Sequence, residues 1–328
     1  MKIATMATGG IGGYLAVRLA NTGHEVATIA RGAHLEAIKA NGLALDGFDG
    51  QHTITPWIAT DNPADVGEVD VILFGVKGDA LKSAAKACVP MVGSGTIVVP
   101  FLNGVEASDM LADILPEANV GNGVAQVSTT ISAPGVIKQT GEFNRFIVAE
   151  RDSRPSARVD ALRDAINEAG SSSPVTDDIV RDLWSKFVLF SAVSGVTAAA
   201  RCTISDILGN DHLAALFQAI LAETAAVGRA RGVALPAPIE ADIWSATSFN
   251  ELARDCQDAA RWNRLNPLDA PKVPFITQQL AGAKGPLIAA TDYMKNYAEQ
   301  VRVSVPGRYT VLGTDGYGRS DSRVNLRR

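Results

Sequence analysis

The chain is poor in the residues that build disulfide frameworks and metal centres. Its 328 residues include only three cysteines and four histidines. Cys88, Cys202 and Cys256 are far apart and match no disulfide or zinc spacing, and no histidine has a partner at ligand spacing. We therefore expect no metal site, and we expect a reducing compartment, the cytoplasm.

Dense basic runs and a leader segment are also missing. The net charge is −5, with no cluster of lysine and arginine that would suit a nucleic acid. The uncharged run at residues 187–200 is too short to span a bilayer, so we expect no membrane segment. The first residues suit a buried strand and lack the layout of a signal peptide.

What the chain does contain is typical of a globular α/β protein of two or three domains, with 47% apolar and 20% charged residues. Residues 1–31 carry the clearest pattern. They predict a strand (2–6, KIATM), a glycine turn (7–13, ATGGIGG), a helix (14–21) and a second strand (25–30). In such a unit a pyrophosphate lies on the amide groups of the helix N-terminus, which predicts a Rossmann dinucleotide-binding domain.

The glycine turn departs from the usual G-x-G-x-x-G pattern at one position. Ala7 takes the first place, while Gly9 and Gly12 take the second and third. Gly9 would allow close approach of a phosphate and Gly12 close packing of helix on strand, whereas alanine at position 7 requires a negative φ. We assign cofactor contacts to Thr8, Gly9, Gly10, Ile11 and Gly12. A glycine-rich turn without a ligand is the alternative.

Arg31 indicates which nucleotide binds. An NAD site usually carries a carboxylate about 20 residues past the glycines, bonded to the ribose 2′-hydroxyl. This chain has Ala30, Arg31 and Gly32 there. Because a guanidinium suits a 2′-phosphate, we expect NADPH. The alternative is a solvated arginine after a strand.

Two polar residues directly follow the C-terminal ends of successive predicted strands. Lys77 follows the strand at 69–76 and Asn103 follows the strand at 95–102. Ligands of open parallel sheets bind at the carboxyl edge, so both side chains are candidates, although strand ends often carry polar residues without a function.

The rest of the chain changes from mixed to helical. We predict a hairpin at 42–55, two or three strands at 122–147, a helix at 156–169, a hinge at 171–174 and a long helix at 178–200. Lys186 is the last charge before the uncharged part of that helix. Spacing alone favours extension of Lys186 to solvent; the other possibility is a lysine held at the edge of an apolar pocket.

Several segments resemble the ketopantoate reductase (2-dehydropantoate 2-reductase) family over about residues 1–236. They are MKIA, GGIGGYLAVRLANTGHEV, VILFGVKGDAL, NGVE and DIVRDLWSKFVLFSAVSGVTAAARCTISDI. The resemblance implies a Rossmann domain followed by a helical domain. It also implies NADPH-dependent reduction of a small 2-keto acid, ketopantoate to pantoate, in pantothenate synthesis.

The resemblance also implies residue roles, position by position. Gly9 and Gly12 would bind the pyrophosphate, Arg31 the 2′-phosphate, Lys77 the adenosine side, Asn103 the nicotinamide ribose and substrate, and Thr130 the cofactor. Lys186 would be the catalytic lysine that gives a proton to the keto oxygen. Some family members carry asparagines one and two helical turns later, where this chain has Phe190 and Ser194. Ser194 can still donate a hydrogen bond to substrate, whereas Phe190 cannot.

Residues 241–328 resemble a different protein, the C-terminal domain of the homodimeric pyruvate dehydrogenase decarboxylase component. The carrying segments are DIWSATSFNELARD, RWNRLNP, PFITQQLAG, GPLIAATDYMKNYAEQVR and YTVLGTDGYGRSDSRVNLRR. In that family, thiamine diphosphate is held mostly by two other domains, which this chain lacks. Here we predict strands at 243–249, 285–290 and 309–313 and a helix at 292–303. Ketopantoate reductases carry a serine and a glutamate in the part of the chain that corresponds to residues beyond 236, and neither motif is found here.

The chain therefore has the pattern of a chimera joined near residues 237–242. A natural fusion, a recombination product and an assembly error of the sequence are all open as its origin. We predict a Rossmann domain (1–170), an incomplete helical domain (175–238) and an α/β segment (241–328). An NADPH-dependent reductase, a nucleotide-binding protein without catalysis and a pyruvate dehydrogenase-fragment interaction module are the three candidate functions. A homodimer is one candidate oligomeric state.

Overall fold

The computed structural model describes residues 1–236, 246, 248–283 and 285–314, and side chains at 290–293 and 313–314 are left aside. The chain forms two units, Met1–Pro238 and Ile239–Arg328. The expected class is confirmed, with a Rossmann-like parallel sheet first, a helical segment in the middle and an α/β segment at the C-terminal end.

The first unit contains nine strands and eight α-helices within its described residues. The strands are β1 (Lys2–Met6), β2 (Glu25–Ile29), β3 (Leu43–Gly47), β4 (Gly50–Ile54), β5 (Ile58–Thr60), β6 (Val69–Phe74), β7 (Val92–Pro100), β8 (Gly121–Ala133) and β9 (Val136–Glu150). The helices are α1 (Gly10–Asn21), α2 (Gly32–Asn41), α3 (Leu81–Cys88), α4 (Ala107–Ala112), α5 (Ala157–Glu168), α6 (Ile179–Ala200), α7 (Ile204–Leu208) and α8 (Asp211–Ala230).

A five-stranded parallel sheet carries the N-terminal half of this unit. Its strand order is β5-β2-β1-β6-β7. The strands are short apolar runs, buried on both faces, because helices cover the sheet on each side. The order reverses between β1 and β6, and in such sheets ligands bind at the carboxyl ends of the strands beside this reversal.

A second sheet, ordered β4-β3-β9-β8, packs against α1. The hairpin predicted at 42–55 is confirmed as β3 and β4, and the segment at 122–147 forms two long antiparallel strands, β8 and β9. The fully buried ring of Phe146 lies 5.7 Å from that of Tyr14 and 5.5 Å from that of Phe101. These stacked and edge-on rings tie α1 to both sheets.

The long helix predicted at 178–200 is confirmed as α6, and Asp178 caps it by accepting a hydrogen bond from the amide of Arg181. Within the described residues, α6 and α8 are each long and apolar enough to cross a membrane by length and composition, although a core helix of a soluble protein meets the same criteria. The uncharged run at residues 187–200 is by itself too short to cross a membrane, whereas the whole of α6 is long enough. Only 17% of the apolar window of α6 and 11% of that of α8 is buried, so the described residues leave most of this apolar surface uncovered.

The second unit consists of α9 (Phe249–Leu265), α10 (Phe275–Leu280), β10 (Leu287–Met294), α11 (Lys295–Glu299) and β11 (Tyr309–Thr314) in its described part. The predicted strands at 285–290 and 309–313 are confirmed as the parallel pair β10 and β11. The strand predicted at 243–249 falls largely outside the described residues, and at its end Phe249 begins α9 with Ser248 as cap. The helix predicted at 292–303 is wrong in extent, because pairing of Met294 with Thr314 keeps the backbone extended before α11 begins.

Candidate functional site

The glycine turn between β1 and α1 begins at a strained alanine. Ala7 has a φ of 66°, so the expectation of a negative φ is wrong. Backbone hydrogen bonds fix the turn on both sides: Thr8 donates to the carbonyl of Ile29 over 2.8 Å, and Gly75 donates to that of Met6 over 2.9 Å. The left-handed conformation costs an alanine about 1–2 kcal/mol, which these bonds and the surrounding packing offset.

The glycines of the turn differ in what requires them. A Cβ at Gly10 would lie 2.6 Å from the carbonyl oxygen of Thr129, and one at Gly12 would lie 2.5 Å from that of Ala7. A Cβ at Gly9 would meet no atom within 4 Å among the described residues. The fold therefore requires Gly10 and Gly12, whereas Gly9 opens space in front of the helix.

The open space lies at the N-terminus of α1. Its first turn carries no acidic residue, and the cap residue, Gly9, has no side chain that could accept a hydrogen bond from the first amides. The first amides of a helix need outside acceptors, and the helix dipole favours an anion there. The turn thus fits the pyrophosphate of a dinucleotide, while Ile11 packs its side chain against the core.

His34 holds the turn in place from α2. Its Nε2 donates to the carbonyl of Thr8 over 2.8 Å, and the amide of Gly135 donates to its Nδ1 over 3.0 Å. The hydroxyl of Thr8 is buried and donates to the carbonyl of Ile29 over 3.1 Å. The side chain of Thr8 thus supports the turn from inside. No local pattern predicts the role of His34, because this role depends on a contact across 101 residues.

Strand β8 presents Thr129 to the glycine turn. The Thr129 hydroxyl is buried and has no hydrogen-bond partner within the described residues. Thr130, the residue that the family resemblance implies as a cofactor contact, is exposed beside it. Neighbouring strand residues point to opposite faces, so only one of the two can face Gly10. Alternation along β8 was the signal that could have identified Thr129, and a buried, unpaired hydroxyl is a candidate ligand contact.

Arg31 and Lys77 provide two exposed cations at the carboxyl edge of the sheet. Arg31 follows β2 and precedes α2, and Lys77 follows β6. Neither side chain makes a hydrogen bond or ion pair with any part of the chain that the structure describes. Gly75 brings the Lys77 loop close to the turn, since a Cβ there would lie 3.3 Å from the carbonyl oxygen of Ala7. Both cations are available for phosphate groups.

Lys186 and Asn103 meet at the end of β7. The Lys186 ammonium donates a hydrogen bond from Nζ to Oδ1 of Asn103 over 2.9 Å. The spacing in α6 had favoured extension to solvent, but the side chain is half-buried and burial lowers its pKa. The ring of Phe190 lies 5.3 Å from Nζ, within range of a cation–π contact. A partly desolvated ammonium therefore lies at the carboxyl edge of the sheet.

Ser194, one helical turn beyond Phe190, has its hydroxyl directed into its own helix. Ser194 Oγ donates to the carbonyl of Phe190 over 2.5 Å, and Thr197 Oγ1 donates to that of Val193 over 2.7 Å. These bonds are typical of hydroxyl residues inside helices. The role of Ser194 as a substrate contact stays a prediction.

Family comparisons match the two ends of the chain to different families, and the matches overlap at residues 224–259. The ketopantoate reductase PanE/ApbA family matches residues 3–152, and the ketopantoate reductase PanE/ApbA C terminal family matches residues 178–259. The transketolase-like TK C-terminal domain family matches residues 224–328. The pyruvate dehydrogenase E1 component of Escherichia coli is 60% identical over 90 residues, which are 27% of this chain and 10% of that protein. The chain thus spans about a tenth of that relative.

The relatives of the first part match this chain over most of their own length. The 2-dehydropantoate 2-reductase of Mesorhizobium japonicum is 32% identical over 276 residues, covering 76% of this chain and 83% of that protein. The solved structure of 2-dehydropantoate 2-reductase from Porphyromonas gingivalis has a TM-score of 0.67 and 32% identity, covering 72% of this chain and 84% of that one. The glycine turn, the parallel sheet and the paired Lys186 and Asn103 occur in this matched part, and the chain belongs to the ketopantoate reductase family.

Proposed function

We propose that this protein reduces a small 2-keto acid with NADPH, and that ketopantoate, reduced to pantoate for pantothenate synthesis, is the first substrate to test. The observation that carries the proposal is the hydrogen bond between Lys186 and Asn103 at the sheet edge that also carries the glycine turn. A cytoplasmic location belongs to the same proposal.

The residues at the edge fit a phosphorylated dinucleotide. The turn around Gly9 offers free amides to the pyrophosphate, and the unpaired Arg31 suits the 2′-phosphate. Lys77 would contact the adenosine side, Asn103 the nicotinamide ribose, and Thr130 or the neighbouring Thr129 another part of the cofactor. When bound, the reduced nicotinamide supplies the hydride that the keto carbon gains and is itself oxidised.

Lys186 supplies the proton. The keto oxygen becomes negative as its carbon gains a hydride, and an ammonium within hydrogen-bond distance stabilises that charge and then gives up a proton. The oxygen becomes a hydroxyl, so a 2-hydroxy acid forms and neutral lysine remains. Asn103 fixes the direction of Nζ before substrate arrives, and the positive charge also attracts the substrate carboxylate.

A second candidate is an NADPH-binding protein without turnover. It is favoured by the change of family toward the C-terminal end, where the ketopantoate reductase match stops at residue 259 and a pyruvate dehydrogenase-like segment continues. The whole decarboxylase reaction is not proposed, because the chain spans a tenth of that enzyme.

One experiment separates the two candidates. Purified full-length protein is titrated with NADPH by fluorescence, and NADPH oxidation is then followed with ketopantoate added. Saturable binding with turnover supports the reductase, and saturable binding without turnover for any 2-keto acid supports the second candidate. Absence of binding contradicts both.

A further inference from the structure

The surface next to the Lys186 ammonium is apolar. Phe190 lies one helical turn beyond Lys186 on α6, and its ring is 5.3 Å from Nζ. Leu189 is 47% exposed and Phe190 is 46% exposed. The Phe190 ring thus lies beside the ammonium that would hold the keto oxygen, with nearly half of its surface open to a ligand.

Polar groups along this face are already engaged. The hydroxyls of Ser194 and Thr197 each donate to a carbonyl one turn earlier in α6. Lys186 itself donates to Asn103. A hydroxyl on the substrate's own side chain would therefore find no free partner among these residues and would lose its hydration on contact with the Phe190 ring.

The distances around Nζ suit contact between the substrate's side chain and the Phe190 ring. A keto oxygen bound to Lys186 would lie about 3 Å from Nζ. The substituent on the keto carbon is two bonds from that oxygen, and the Phe190 ring is 5.3 Å from the same Nζ. A substituent directed along α6 toward residue 190 would therefore contact the ring.

We propose that Leu189 and Phe190 form the subsite for the side chain of the keto acid, and that this subsite selects 2-keto acids with purely apolar side chains over hydroxylated ones. The inference rests on the proposed reductase function and specifies its substrate class. It assigns Phe190 the role of a specificity-determining residue.

Two keto acids that differ by one hydroxyl test the inference. Ketopantoate is trimethylpyruvate with a hydroxyl on one methyl group. We expect kcat/KM of the wild-type full-length protein with NADPH to be about tenfold or more higher for trimethylpyruvate, because an apolar site discriminates weakly but measurably against an added hydroxyl. An equal or higher kcat/KM for ketopantoate overturns the inference and leaves the reductase function standing.

Two variants at one position assign the effect to the ring. Phe190→Asn supplies a polar amide, and we expect the preference for trimethylpyruvate to fall about tenfold, mainly through KM. Phe190→Leu keeps an apolar side chain and should keep the preference. NADPH titration checks that both variants are folded. An unchanged preference in Phe190→Asn overturns the assignment, while failure of the wild type to reduce any 2-keto acid, these two included, overturns the proposed function itself.

Discussion

Lys186 Nζ donates a hydrogen bond to Oδ1 of Asn103, and this contact joins α6 to the carboxyl edge of the parallel sheet across 83 residues of sequence. The half-buried lysine keeps a defined position because the Asn103 carbonyl oxygen accepts a hydrogen bond from its ammonium. In the proposed reaction, a proton donor held in this way would need no rearrangement when the keto oxygen becomes negative.

The pH dependence of turnover follows from the position of Lys186. Burial lowers the pKa of its ammonium below the ordinary value of 10.5, because desolvation disfavours the charged form. The donor must be protonated, so kcat/KM should be constant at low pH and fall as pH rises through the lowered pKa. The measurement is a pH profile at saturating NADPH, with NADPH affinity determined at each pH as control. A rate that stays constant up to pH 10.5 would contradict the role of Lys186.

Gly9 and Gly12 should respond differently to the same substitution. A Cβ at Gly12 collides with backbone, so Gly12→Ala should lower the free energy of unfolding by about 2 kcal/mol. Gly9 has a φ of −85° and open space around it, so Gly9→Ala should leave the melting temperature unchanged but weaken NADPH binding about tenfold or more. Thermal melts and fluorescence titrations of both variants check this. Undiminished NADPH affinity in Gly9→Ala would contradict binding of the pyrophosphate at this turn.

Ala7 offers a stabilising substitution. Its φ of 66° strains an alanine but not a glycine, so Ala7→Gly should raise the free energy of unfolding by about 1 kcal/mol. Urea denaturation of the two proteins measures the difference. Ala4→Gly is a destabilising control, since Ala4 lies buried within β1. Loss of stability in Ala7→Gly would mean that the positive φ is not strained.

Arg31 should distinguish the two nicotinamide cofactors. A free guanidinium can form charge-assisted hydrogen bonds with a 2′-phosphate but gains little from a 2′-hydroxyl. Arg31→Ala should therefore weaken NADPH about tenfold or more and leave NADH nearly unchanged. Arg154→Ala, at another exposed arginine, should change neither affinity. Equal losses for both cofactors in Arg31→Ala would refute contact with the 2′-phosphate.

Local patterns in the sequence predicted most elements of the first unit, because alternation and helical spacing depend only on which face is buried. They failed where distant backbone decides the conformation. Neighbouring strands set the φ of Ala7, and pairing with β11 extended β10 into the predicted helix.

The candidate site was predictable only in part for the same reason. Turn glycines and strand-end residues are local signals, whereas the choice of Thr129 over Thr130 against Gly10 depends on the facing of β8. Helical spacing alone favoured a solvated Lys186, and its contact with Asn103 arises from the packing of α6 at the sheet edge. The resemblance to a known family identified Lys186, but the apolar surface beside it became visible only in the structure.

The measurement that tests the central claim most directly compares Lys186→Ala with the wild type and with Lys82→Ala, a substitution at an exposed lysine of α3. NADPH affinity and kcat for keto-acid reduction are measured for all three proteins. We predict that Lys186→Ala binds NADPH as the wild type does but loses a factor of about 100 or more in kcat, the usual contribution of a positioned acid. Lys82→Ala should match the wild type in both. An unchanged kcat in Lys186→Ala would contradict the account.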